Sequence, residues 1–133
     1  LAPDPWAAPG GSRMKKVLIV EDQTDIRELI KITLELEPLE LHEATDGVQG
    51  LRLAGSLRPD LVISDVSMPG MDGLQLCRRI KAEAGLRRTK VVLLSALGRP
   101  EDQRAGTSAG ADAYLAKPYG PLELLATVRR MIG

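Results

Sequence analysis

The sequence predicts an α/β domain: a doubly wound, open, all-parallel sheet. Three observations carry that expectation. VLIV (17–20), LVI (61–63) and VVLL (91–94) are continuous apolar runs, as expected of parallel strands covered by helices on both faces. Amphipathic segments alternate with these runs and with two weaker ones, giving β-α five times over about 120 residues. Right-handed crossovers then place every strand's C-terminal end on one edge, and that edge collects acids, a hydroxyl and a lysine.

Taken in order, residues 1–13, LAPDPWAAPGGSR, hold three of the nine prolines and no periodicity. They are expected to be a disordered extension, a fusion remnant rather than a functional arm, with the domain spanning 14–133. After VLIV, Ile26, Leu29, Ile30 and Leu34 fall on one helical face. LELHEA (39–44) alternates polar and apolar as an edge strand would. The helix after Asp46-Gly47 is weakened by Gly50 and Gly55. LVIS leads to Asp65, and Leu76, Cys77 and Ile80 give the third helix its stripe. A fourth helix over Glu101–Ala109 contains Gly106, Thr107 and Ser108 and almost no apolar stripe, so it is expected to be poorly anchored. DAYLAK (112–117) is the fifth strand. Pro121 suits a first helical position before Leu124, Leu125, Val128 and Ile132, with Glu123 early and Arg129 and Arg130 late, matching the helix dipole.

Composition narrows the function. A length of 133 residues allows one domain with a core. The 18 basic and 18 acidic side chains cancel, which argues against binding nucleic acid or an anionic membrane by bulk charge. Cys77 is the lone cysteine and His42 the lone histidine, so neither a disulfide nor a zinc set can form within the chain. A reducing, cytoplasmic setting fits, and no apolar run reaches the ~20 residues of a membrane span. Phe is absent and aromatics make up 2%, so the core must be Leu, Ile, Val and Ala.

The strand ends carry the chemistry. A flavodoxin-like order, 2-1-3-4-5, makes strands one and three neighbours and brings Glu21, Asp22 and Asp65 together at the switch point. A pair of carboxylates about 5 Å apart repels by ~3 kcal/mol at an effective dielectric near 20, so a proton or a cation must compensate. Oxygen ligands without histidine or thiolate select Mg²⁺ or a similar ion. Lys117 and the Ser95 hydroxyl can hold phosphoryl oxygens opposite such an ion, leaving Asp65 as the nucleophile of an in-line displacement.

Glu21-Asp22, Asp65 followed by MPGMDG, Ser95-Ala96, and Tyr114 three residues before Lys117-Pro118 together resemble the receiver domain of bacterial two-component response regulators. The resemblance runs from Met14 to Gly133. It implies that Asp65 is the phosphoacceptor, served by a sensor histidine kinase or phosphotransfer protein in a phosphorelay. It further implies Mg²⁺ ligation by Asp22, Asp65 and the main-chain carbonyl of Ser67, with Glu21 acting through water. Ser95 and Lys117 would bind the phosphoryl group, Ser95 and Tyr114 would form a switch pair, and the bond before Pro118 would be cis. Output would pass through the face of the fourth helix, fifth strand and fifth helix, to an attached output domain, a downstream protein or a second copy in a homodimer. No catalysis beyond its own phosphorylation and dephosphorylation is implied. Departures are small: the switch hydroxyl is Ser, and Tyr119 stands where the family usually has Phe.

Other residues read more plainly. Asp46 and Asp72 are helix caps, His42 a solvated edge residue among Glu40 and Glu43, Cys77 a small core residue, and Arg87-Arg88 a solvated loop pair. A Mg²⁺-dependent phosphohydrolase would need a second acid two residues after the nucleophile, where this chain has Ser67. A nucleotide or flavin binder would need a Gly-rich loop after VLIV, where it reads EDQTD. An interaction module of the same fold that is never phosphorylated would lack a reason for the complete acid, hydroxyl and lysine set.

Overall fold

The structure, a computed structural model, describes residues 14–96 and 98–133. The expected extension, residues 1–13, lies outside the described residues. A single five-stranded parallel sheet has the order β2-β1-β3-β4-β5. Its strands are β1 (Lys15–Val20), β2 (Leu39–Ala44), β3 (Leu61–Asp65), β4 (Lys90–Ser95) and β5 (Ala113–Ala116). The connecting helices are α1 (Thr24–Leu34), α2 (Gly47–Leu57), α3 (Gly73–Ala82), α4 (Pro100–Ser108) and α5 (Pro121–Ile132). A 3-10 turn at Ala84–Leu86, which the periodicity did not indicate, joins α3 to β4.

The continuous apolar runs follow from burial on both faces. Alternate residues of the central strands feed two separate cores. Leu18, Val20, Val62, Val91 and Leu93 pack with Ala54 of α2 and Leu76, Cys77 and Ile80 of α3. Val17, Ile19, Leu61, Ile63, Val92 and Leu94 pack with Ile30 and Leu34 of α1 and Leu124, Leu125 and Val128 of α5. The sheet edges are less covered: apart from Ala44, every residue of β2 is half-buried.

Three local expectations change. Leu29 does not join the buried stripe of α1 but is 63% exposed, because Ile30, Thr33 and Leu34 supply the inward face. Of the two glycines that argued against α2, Gly55 is exposed and meets nothing, but Gly50 allows the helix to pack, as does Gly47 at its start, and both of these are buried. A Cβ on Gly50 would lie 3.0 Å from a Val20 methyl, and one on Gly47 would lie 2.6 Å from the Met71 carbonyl oxygen. The fifth strand is shorter than DAYLAK, since Asp112 instead accepts hydrogen bonds from the Val91 N–H at 2.8 Å and Lys81 Nζ at 2.7 Å.

The capping residues behave as their types predict. The Asp46 carboxylate accepts from the Gln49 N–H at 2.7 Å. Asp72 and Gln75 form a reciprocal capping box at the start of α3. His42 is half-buried on β2, its Nε2 2.7 Å from Glu40 Oε2. Cys77 is fully buried, with its thiol donating to the Ala109 carbonyl at 3.3 Å.

Candidate phosphoacceptor site

The site is built where β1 and β3, neighbours in the sheet, end together: Val20 pairs with Ser64. The next residues are Glu21 and Asp22 on one strand and Asp65 on the other. One carboxylate oxygen from each of these three acids lies within 4.8 Å of the others. Glu21 is fully buried, Asp65 is buried at 8% exposure, and Asp22 is half-buried and the most open of the three.

Lys117 reaches the same point from β5. Its backbone N–H donates to the Ser95 carbonyl at 2.7 Å, tying the end of β5 to that of β4, and its Nζ donates to Asp65 Oδ1 at 3.1 Å. The Lys117–Pro118 peptide is cis. Ser95 is buried at the end of β4, two residues beyond Leu93, the register partner of Tyr114. Ser67 is exposed two residues after Asp65.

Glu21 is the unsettled member of the group. Its Oε2 accepts from the Gln23 N–H at 3.1 Å, whereas Oε1 is buried and without a partner among the described residues. Burial, reinforced by the adjacent Asp22 carboxylate and then by the Asp65 charge, pushes its carboxyl up to about 7. A buried acceptor left unpaired costs stability, and two acids beside it raise that cost. The donor set therefore fits a hard divalent cation: three carboxylates, one orphaned oxygen and no nitrogen or sulfur ligand.

Sequence reading missed two supports. Arg27 of α1 donates through Nη1 to the Glu21 carbonyl at 2.8 Å and through Nε to Glu43 Oε1 at 3.2 Å, clamping the β1 end to β2. The only signal available was a basic residue one position from the helix's apolar stripe, which is ordinary for a surface helix. Gly73, the first residue of α3, packs directly on the end of β3. A Cβ there would stand 2.2 Å from the Asp65 carbonyl oxygen, while its N–H donates to the Val66 carbonyl at 2.9 Å. Tyr119 packs against the core beneath α1 and α5, and burial, with the Glu21 and Asp65 charges, raises its hydroxyl above the ordinary tyrosine value.

A doubly wound sheet with three acids gathered at its switch point and a lysine paired to Asp65 places the chain among flavodoxin-like α/β domains with an acidic site at the strand edge. Residues 17–129 match the response regulator receiver domain, and the chain belongs to that family. Among curated relatives, the DNA-binding dual master transcriptional regulator RpaA of Synechocystis is 37% identical over 119 residues, covering 90% of this chain and 49% of that protein. The DNA-binding response regulator MtrA of Mycobacterium tuberculosis H37Rv is 37% identical over 115 residues, covering 86% and 49% respectively. The chain thus spans about half the length of the curated relatives it matches.

Among solved structures, chemotaxis protein CheY4 of Vibrio cholerae superposes with a TM-score of 0.85 at 34% identity, covering 90% of this chain and all (100%) of that one. The receiver domain of sensor histidine kinase PA1611 from Pseudomonas aeruginosa, described with a magnesium ion coordinated in its active site cleft, gives 0.83 at 30% identity, covering 91% and 99%. No helix among the described residues is long and apolar enough to cross a membrane.

Proposed function

We propose that this domain accepts a phosphoryl group from a histidine kinase or phosphotransfer protein onto Asp65 and reports it through the face formed by α4, β5 and α5. The observation that carries this reading is the convergence of Glu21, Asp22 and Asp65 within 4.8 Å, with Lys117 Nζ 3.1 Å from Asp65 Oδ1. Asp65 is the acid that Lys117 already contacts, and its carboxylate oxygen attacks phosphorus while the bond from phosphorus to the donor's imidazole nitrogen breaks. Lys117, already at the acceptor, holds a phosphoryl oxygen, and the Ser95 hydroxyl closes on another.

Asp22, Asp65 and the Ser67 main-chain carbonyl would hold Mg²⁺, with Glu21 acting through a bound water. When bound, the ion neutralises the charge gathered on the phosphoryl oxygens. Catalysis is confined to the domain's own phosphorylation and hydrolysis of the resulting acyl phosphate.

Phosphorylation takes Asp65 from about −1 toward −2. Ser95 then moves toward the site and the Tyr114 ring turns into the space it leaves. Reversing a 1:99 population needs about 5.5 kcal/mol, near the most that one charge-assisted network supplies, so the shift is graded and the active conformer is populated beforehand. Relaxation-dispersion NMR that finds one rigid state in the unmodified domain counts against this. By likeness to its DNA-binding relatives, the readout passes to an output domain or downstream protein, or to a homodimer through the same α4-β5-α5 face, in the cytoplasm. The domain itself binds neither nucleic acid nor membrane.

Incubation with acetyl phosphate and Mg²⁺, followed by intact mass measurement, should add one phosphoryl group to the wild type and none to Asp65→Asn. Uptake that survives the substitution reassigns the acceptor. Chelating the metal should abolish uptake, and saturating Mg²⁺ should raise the melting temperature of the wild type more than that of Asp65→Asn.

A further inference from the structure

The site's hydroxyl and the candidate switch ring lie on one face of the sheet. Leu93 pairs with Tyr114 and Ser95 with Ala116, and residues two apart along a strand point the same way. Helix α4 covers this face above Tyr114, and Gly106 is its buried residue. A Cβ added at Gly106 would stand 2.9 Å from Tyr114 Cδ2, 3.3 Å from Cε2 and 3.6 Å from Leu93 Cδ1. Carbon atoms in contact prefer about 3.5–4.0 Å. Cδ2 and Cε2 belong to a rigid ring, so relief requires the whole ring to swing or the helix to lift.

Nothing else asks for glycine at this place. Gly106 lies inside a helix and outside the left-handed region adopted by Gly70 and Gly110. In a helix interior alanine is favoured over glycine on intrinsic propensity. The missing side chain is therefore matched to the ring beneath it.

We propose that Gly106 is a positioning residue for Tyr114. By lacking a side chain it seats the ring under α4 and so sets how readily the ring departs. This rests on the proposed phosphoacceptor function, to which it adds a control point remote from the acids. A methyl group at 106 crowds the seated ring but not a ring moved into the space Ser95 vacates. It therefore favours the second arrangement, and whatever else favours that arrangement must bind more tightly by the same factor.

The test compares wild type, Gly106→Ala, Tyr114→Ala and the double variant. Fluorotyrosine labelling reports the ring directly, since Tyr114 and Tyr119 are the chain's two tyrosines. The Tyr114 fluorine resonance should move in unliganded Gly106→Ala while that of Tyr119 stays. Beryllofluoride with Mg²⁺, titrated by NMR, should bind Gly106→Ala about fivefold more tightly than wild type, the low end of ordinary coupling. In the Tyr114→Ala background the substitution at 106 should change nothing.

An unmoved Tyr114 resonance overturns the seat. Unchanged or weaker binding overturns the linkage, and equal tightening in both backgrounds shows that the effect runs through α4 itself, which also overturns it. Loss of Asp65-dependent beryllofluoride uptake in wild type strikes instead at the phosphoacceptor reading, and the fluorine signal still decides whether Gly106 seats the ring.

Discussion

Helices α3 and α4 cover the same face of the sheet, yet they are held by different means. Helix α3 begins in a capping box and drives Leu76, Cys77 and Ile80, all fully buried, into the core. Helix α4 has no side-chain cap and buries Gly106, a residue with no side chain to pack. The first helix starts on the backbone of Asp65, whereas the second lies over Tyr114. Under the proposed function, keeping Asp65 in place while the surface changes would call for one helix of each kind.

The contrast can be broken most severely at Leu76. Leu76→Ala should cost about 3 kcal/mol in chemical denaturation, because a fully buried side chain leaves a cavity between α3 and the sheet. A cost near zero would mean that α3 is not the anchor. Asp72→Ala should cost about 1 kcal/mol, the usual worth of an N-cap, since the Gln75 N–H loses its acceptor at 2.8 Å. The smallest effect belongs to α4. Arg99→Ala, which removes exposed ion pairs to Glu101 and Asp102, should leave the melting temperature unchanged within error. Native-state hydrogen exchange sharpens the comparison: the amides of α4 should open at lower free energy than those of α3, and equal protection would erase the distinction.

Much of this was legible in the chain. Strands buried on both faces cannot alternate, so VLIV, LVIS and VVLL declare themselves, and the residues after them declare the site. Receiver identity and the strand order follow from the same elements. The weakness of α4 was also visible as a missing apolar stripe. What could not be read concerns contacts between elements distant in sequence. Glycine counts against a helix in propensity, yet Gly47 and Gly50 are where α2 approaches Met71 and Val20. Leu29 fits the helical period, but the sheet covers only part of the arc that the period marks out. Arg27 looks like any surface cation until folding brings it within 2.8 Å of the Glu21 carbonyl.

That Arg27 bridge has a kinetic consequence. It fastens the acid-bearing turn to β2 with protein groups alone, so the cradle's position does not depend on a bound ion. Little loop ordering is then left to oppose capture. Were a dication held there as proposed, shedding its water would be the costly part of loading, which Mg²⁺ resists and larger ions yield more easily. Arrival times should therefore differ among divalent metals in the order of their own hydration, even where their final affinities are alike.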